Sequence, residues 1–331
     1  MTSKEYLAKL GKLYPKMINE SAIVLKSAEF VWAGWELNSN IDRPDNIHHI
    51  ASNFRDEYTA CFDRLKSYYD GPKRDKLILA YFPIIDFNAK ANSTKDEDRV
   101  IIYDEYLNAF ITQFLLICIN LTYNSELSSN EVDKCKDYLE HLLLLFKERK
   151  KTDNDKYISY LDYFEVLASK DFNYSFQSAV GCYSIFYFIL AHEIGHHYFG
   201  HTSKKEKHFL GSVKSEKVEI ETYKHLQEYE ADEYGFQLFL NITKDVRDND
   251  NTNINEYFDR FPLLYFDIMT LYYEFLINKG LIQEIPKSHP SPIERKNNLL
   301  SKNEHLLSEE GLILYNGITD TLTKFRSHKK F

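Results

Sequence analysis

Apolar positions along the chain recur mostly at helical spacing. Residues 4–19 carry the helical period, while "SAIVLKSAEFVWAGWEL" (Ser21 to Leu37) fits strand and helix alike. After the polar stretch "NSNIDRPDN", helical spacing returns over 47–69. "DKLILAYFPIIDF" (Asp75 to Phe87) is the best strand, with β-branched and aromatic residues interrupted by Pro83. "NAKANSTKDEDR" is expected to be a polar loop leading into a short strand and then a helix over "VIIYDEYLNAFITQFLLICINL". The helix predicted over "SSNEVDKCKDYLEHLLLLFKERK" opens on Ser129 as its N-cap and closes on basic residues, which suit a helix C-terminus. "KTDNDK" (Lys151 to Lys156) reads as a linker. Helical patterns then cover 178–200, 216–243, 255–279, 290–303 and 306–326, with "KDVRDNDNTNIN" (Lys244 to Asn255) as a loop or insertion. This pattern predicts a mainly α protein of the α+β kind, a helical bundle with a small β-sheet. It divides into a helical region 1–175 with a few strands and a second region 176–331, or forms one continuous domain.

Composition agrees with the helical reading. The 331 residues include only 11 Gly and 8 Pro but 25 Tyr and 23 Phe, few breakers and many long side chains. A net charge of −9 argues against nucleic acid as a partner, because phosphate binding rests on Lys and Arg. The two most apolar windows, "YLNAFITQFLLICINLTY" (Tyr106 to Tyr123) and "FPLLYFDIMTLYYEFLI" (Phe261 to Ile277), are interrupted by Asn108, Thr112, Gln113, Asn120, Asp267 and Glu274. Both therefore read as buried helices, and no membrane span is expected. "MTSKEYLAKLGKLYPKMINE" lacks the apolar core of a secretory signal, so the cytoplasm is the expected location. Cys61, Cys118, Cys135 and Cys182 are scattered without a CxxC pair, which disfavours a Cys-based zinc site or a disulfide scaffold.

Chemistry concentrates in "YFILAHEIGHHYFGH", Tyr187 to His201. His192, Glu193 and His196 spell HExxH. On a helix, i and i+4 share a face, so two imidazoles at that spacing can grip one ion, while Glu193 lies about 100° around the axis, beside the ion. Zinc lowers the pKa of its water to about 7, and a neighbouring carboxylate can take the proton. Without a metal, the same residues are a histidine-rich helix end favoured by the helix dipole. The preceding "SIFYFILA" places the motif on a buried helix, where an unpartnered His–Glu–His trio is costly.

A catalytic zinc takes three protein ligands and keeps one open position. The pattern HExxHxxGxxH fails, because Phe199 and Thr202 stand where it needs Gly and His. Downstream, "LQEYEADEYGFQLFL" offers Glu228 and Asp232 at i and i+4, with Glu230 on the opposite, solvent-facing side. One carboxylate could reach the metal and the other a ligand histidine's free N–H, or the group could be ordinary surface charge. "HPSPIERKNNL" places His289 just before a helix and Arg295 within it, which a plain helix start with a surface Arg would also explain. His197 and His201 could form a second i, i+4 pair, but His201 reads better as a helix-terminal residue beside Gly200 as C-cap. His208 and His225 read as loop and surface residues, and "TSKKEKHFLGSVKSEK" as a solvated loop or a flap.

In order, "HEIGHHYFGH", "EYEAD" and "HPSPIER" resemble the M48-type gluzincin metallopeptidases, whose pattern is HExxH with a histidine five residues on, then ExxxD, then HP with an arginine shortly after. The resemblance covers roughly 180 to 300. It implies a zincin-like fold and one zinc ion per chain, held by His192, His196 and Glu228. Glu193 would be the general base and proton shuttle, Asp232 would orient a ligand histidine, His289 would stabilise the oxyanion, and Arg295 would brace Glu228 or Asp232. The implied activity is endopeptidase cleavage of a protein or peptide substrate held along an edge strand. The chain is also similar to the soluble Lit-type phage-exclusion peptidases. The helix "EYEADEYGFQLFL" resembles that of the ImmA/IrrE regulatory metallopeptidases, which would imply one dedicated repressor or host factor as substrate, although "LFLNIT" replaces their apolar-Pro ending. The remaining alternative is a non-catalytic interaction protein in which zinc is structural or absent. Residues 1–175 carry no functional signal.

Overall fold

The computed structural model describes residues 59–81, 89–94, 98–148, 172–202, 217–250, 258–285 and 289–329. The patterns read over 4–19, Ser21 to Leu37 and "NSNIDRPDN", the "KTDNDK" linker and the Lys-rich segment after Thr202 lie outside these residues. The described chain is mainly helical, with eight helices and one three-stranded sheet. A helix described over 59–68 (α1) precedes strands β1 (Leu77–Tyr81), β2 (Lys90–Ser93) and β3 (Arg99–Tyr103). Helices α2 (Glu105–Tyr123), α3 (Ser129–Glu148), α4 (Phe172–Tyr198), α5 (Lys217–Asp250), α6 (Phe261–Asn278), α7 (Pro292–Asn303) and α8 (Glu309–Lys329) follow.

The sheet order is β1-β3-β2, with β1 parallel and β2 antiparallel to the central β3. Paired on both sides, β3 is buried from Val100 to Tyr103. The strand expected over Asp75 to Phe87 thus forms at Leu77–Tyr81, with 82–88 outside the described residues. The polar stretch after it is a correction: Lys90–Ser93 is not loop but the edge strand β2, because β3 offers it an open row of backbone partners. Tertiary pairing there overrides a composition that reads as loop.

α2 is apolar on every face and is buried accordingly. Three of the polar residues that interrupt it have partners inside the protein: Tyr103 donates to Asn108 Oδ1, Tyr138 donates to Gln113 Oε1 at 2.7 Å, and Asn120 Nδ2 donates to the Leu116 carbonyl at 2.9 Å. In α6, Asp267 accepts from Lys296 and Tyr315, each at 2.6 Å, and Glu274 pairs with Arg326. Among the described residues no helix is long and apolar enough to cross a membrane. None of the four cysteines forms a disulfide among the described residues.

Several helix boundaries differ from the sequence reading, among them the start of α4 at Phe172 and both ends of α8. The N-cap of α3 is Ser128, one residue earlier than expected: its Oγ caps the Glu131 N–H while Glu131 reaches back to the Ser128 N–H at 2.8 Å, a capping box that Ser129 cannot form. α5 runs on to Asp250, so 244–250 is helix rather than loop. Helix α4 packs on α2 along one flank and α5 along another, with α6 and the sheet on the remaining sides. The apolar cluster extends from Phe62 to Phe325, and residue 175 lies inside α4.

Candidate metal centre

The site forms where α4 crosses α5, and small residues set how closely they approach. A Cβ on Gly235 would stand 2.7 Å from the His192 backbone nitrogen, and one on Gly195 would stand 3.1 Å from Ala231 Cα. The two glycines thus let each helix press on the other's backbone, which brings the Glu228 face of α5 onto the histidine face of α4. Both helices exceed the ~12–15 residues that mark a marginal isolated helix, at 27 and 34 residues. The ligands therefore sit on rigid elements.

His192 Nε2 and His196 Nε2 stand 3.1 Å apart. Glu228 completes a triangle, with Oε1 3.4 Å from His196 Nε2 and Oε2 3.6 Å from His192 Nε2. A tetrahedral ion with bonds of about 2.0–2.1 Å separates its donors by roughly 3.3–3.4 Å, which these edges bracket. Glu228 Oε2 is buried and accepts no hydrogen bond. The two imidazole nitrogens stand within hydrogen-bond distance of one another, with the Glu228 carboxylate against both. His192, His196 and Glu228 therefore form a group able to hold a metal ion.

Behind His192 lies a sealed ionic network. Asp232 Oδ1 is 2.9 Å from His192 Nδ1, and Arg295 clasps Asp232 through Nε at 2.8 Å and Nη2 at 2.6 Å. Arg295 Nη1 also stands 3.4 Å from Glu228 Oε2, and the guanidinium lies over the Phe266 ring at 5.1 Å. Burial is the largest influence on both acids and opposes their ionisation, but the Arg295 charge together with the neighbouring histidines outweighs it and holds Glu228 and Asp232 below the usual carboxylate range. Burial likewise opposes the Arg295 charge, and Asp232 together with Glu228 more than offsets it. For His196, burial alone would depress the pKa, but Glu228 and then Glu193 raise it above the ordinary value. Arg295 reaches this place because α7 starts sharply: Ser291 and Glu294 form a capping box with Pro292 in the first turn.

Every residue predicted for the site is close to it. His289 stands at the mouth, half exposed, with Nε2 3.5 Å from Glu228 Oε1. Burial lowers its pKa despite the Glu228 charge. Glu193 is buried beside the pair, close enough to raise the His196 pKa. Glu230 is exposed, as its angular position on the helix requires.

The two remaining histidines of the opening motif also have partners. Gly200, at φ 77°, ends α4, and the His201 N–H returns to the His196 carbonyl at 2.9 Å. His201 is thus helix-terminal, as its neighbour Gly200 suggested, but that description is incomplete. Its Nδ1 is 3.0 Å from His196 Nδ1, and its Nε2 is 3.1 Å from Glu230 Oε2. His197 turns the other way, its Nδ1 meeting Thr202 Oγ1 at 3.0 Å, and Thr202 meets Ser93 of β2 at 2.8 Å. The signal for His201 was its place directly after a helix-ending glycine. The signal for the crossing was Gly195 and Gly235, one glycine on each of the two motif helices.

No protein-family model, curated protein or solved structure matches the chain.

Proposed function

We propose that the protein is a zinc-dependent endopeptidase whose single zinc ion is held by His192, His196 and Glu228. The observation that carries this reading is the convergence of two imidazole nitrogens and one carboxylate at 3.1–3.6 Å, with the buried Glu193 beside them. Two histidines and one glutamate make the donor set of a catalytic rather than a closed structural zinc site. Zinc in this place supplies Lewis acidity to a peptide carbonyl and acidifies the attacking water.

The chain's own residues supply the rest. Glu193 accepts the proton of the attacking water and delivers it to the departing amine, so the two halves of the peptide leave as acid and amine. His289, on the rim, donates to the carbonyl oxygen as negative charge gathers there. Asp232 accepts from His192 Nδ1–H, which keeps Nε2 as the lone-pair nitrogen, and Arg295 fixes Asp232. β2 is the edge strand packed on α4, and the substrate is an extended protein or peptide segment laid along it.

Glu193→Gln tests the reading. The variant should retain one zinc per chain, measured by atomic absorption, and lose at least about 10²-fold of peptide cleavage, the lower range for a general base. A variant that cleaves as fast as the parent would sink the mechanism. A parent that binds zinc and leaves every peptide of a broad library and every protein of a cell extract uncut would favour the interaction-protein reading.

A further inference from the structure

Imidazole has two nitrogens, and a metal ligand can lend only the one that carries a lone pair. For His196 the nitrogen facing Glu228 and His192 is Nε2, so Nδ1 must hold the hydrogen. That hydrogen points at His201 Nδ1, 3.0 Å away. Two ring nitrogens at this distance share one proton position, so His201 Nδ1 must be the acceptor. His201 then carries its own hydrogen on Nε2, which faces Glu230 Oε2 at 3.1 Å. Every donor in the row meets an acceptor, and only one direction of hydrogen bonding satisfies all three groups while leaving His196 Nε2 free for an ion.

We propose that His201 and Glu230 are positioning residues of the metal centre, a relay that fixes the tautomer and ring plane of His196. The inference rests on His192, His196 and Glu228 being a metal site, and it assigns work to two residues outside that trio. The row is held at both ends by backbone. His201 is fixed by the N–H bond from its own backbone to the His196 carbonyl, and Glu230 stands on α5 half a turn from Glu228. The Phe199 ring lies parallel to His201 at 5.5 Å between centroids, which limits its rotation. Glu230 is largely exposed, so it can be changed without opening the core.

The test is zinc affinity, read by competition with a chromophoric chelator, in the full chain. His201→Leu, which keeps bulk and removes the acceptor, should bind zinc about 10–100-fold more weakly. Glu230→Ala should fall at the low end of that range, about 10-fold. His201→Asn returns an acceptor at the Nδ1 position and should recover most of the loss. Loss of packing alone would not produce that rescue. The metal-free variants should melt with the metal-free parent, and if His201→Leu does not fold, Glu230→Ala carries the test from the surface. A parent that binds zinc, with His201→Leu and Glu230→Ala within twofold of it, overturns this proposal and leaves the metal site intact. A parent that binds no zinc overturns both.

Discussion

His192 and His196 stand one turn apart on the same helix, and their Nδ1 atoms are held in opposite ways. His192 meets a carboxylate directly, and that carboxylate is sealed under Arg295 and Phe266. His196 meets a second imidazole, and the carboxylate beyond it stands in solvent. The inner partner is part of the interior of the protein, where charges are strong and cannot be removed singly. The outer partner works in water, where a charge contributes little to folding. The same kind of contact, a partner for the Nδ1 of each histidine, is therefore coupled to fold stability on one side and nearly independent of it on the other.

Five substitutions probe that division, from the strongest effect to the weakest. Arg295→Met leaves Glu228 and Asp232 buried without a countercharge and should cost the metal-free protein about 3–5 kcal/mol in denaturant unfolding. A variant as stable as the parent would show that the inner network is no part of the fold. Gly235→Ala drives a methyl into the His192 backbone at 2.7 Å. The overpacking, about 1–3 kcal/mol, exceeds the roughly 1 kcal/mol of helix propensity that alanine gains, so thermal unfolding should show a net loss. Gly195→Ala, with nearest atoms at 3.1 Å, should cost less, and the reverse order would contradict the crossing geometry.

Ser291→Ala removes the capping box that starts α7 one turn before Arg295 and should cost about 1 kcal/mol. A pH signature accompanies it. The hydrogen bonds from Ser291 hold Glu294 below its ordinary value of 4.5. Its contribution is therefore complete above pH 4.5 and is lost as the pH falls through the lower folded value. Ser291→Ala should flatten that part of the stability–pH curve, and an unchanged slope would assign the acid sensitivity to other groups. Glu230→Ala should shift metal-free stability by less than about 0.5 kcal/mol, which calorimetry can bound. A larger loss would make the outer partner structural after all.

Much of the inner half could be read from the chain alone. HExxH fixes two imidazoles on one face by helix geometry, and Glu228 with Asp232 repeats that spacing on a second helix. Arg295 and His289 were legible only as members of an ordered set of motifs, since nothing local in "HPSPIER" says which side of α7 is buried. The mainly helical architecture followed from spacing, and the strand at Leu77–Tyr81 from β-branched content. β2 was hidden because "KANS" has the composition of a loop and becomes a strand only through β3. The N-cap of α3 was misplaced by one because two serines adjoin, and only the reach of Glu131 decides between them. His201 reads as helix-terminal, as the structure places it, but its contact with the His196 ring was not legible, because five residues along a helix correspond to about 140° around it, away from His196.

That last mismatch is undone by Gly200. A continuing helix would point residue 201 away from His196, but the left-handed backbone at Gly200, φ 77°, folds the chain back over the final turn. The bond from the His201 N–H to the His196 carbonyl joins the same two residues that the imidazole bond joins. A chain reversal ordinarily regarded as punctuation here sets a spelling rule: the second histidine is useful only when the residue before it can adopt mirror-image geometry. Any residue with a side chain at 200 would strain that turn, so the handedness of a single peptide position reaches the His196 ring without touching it.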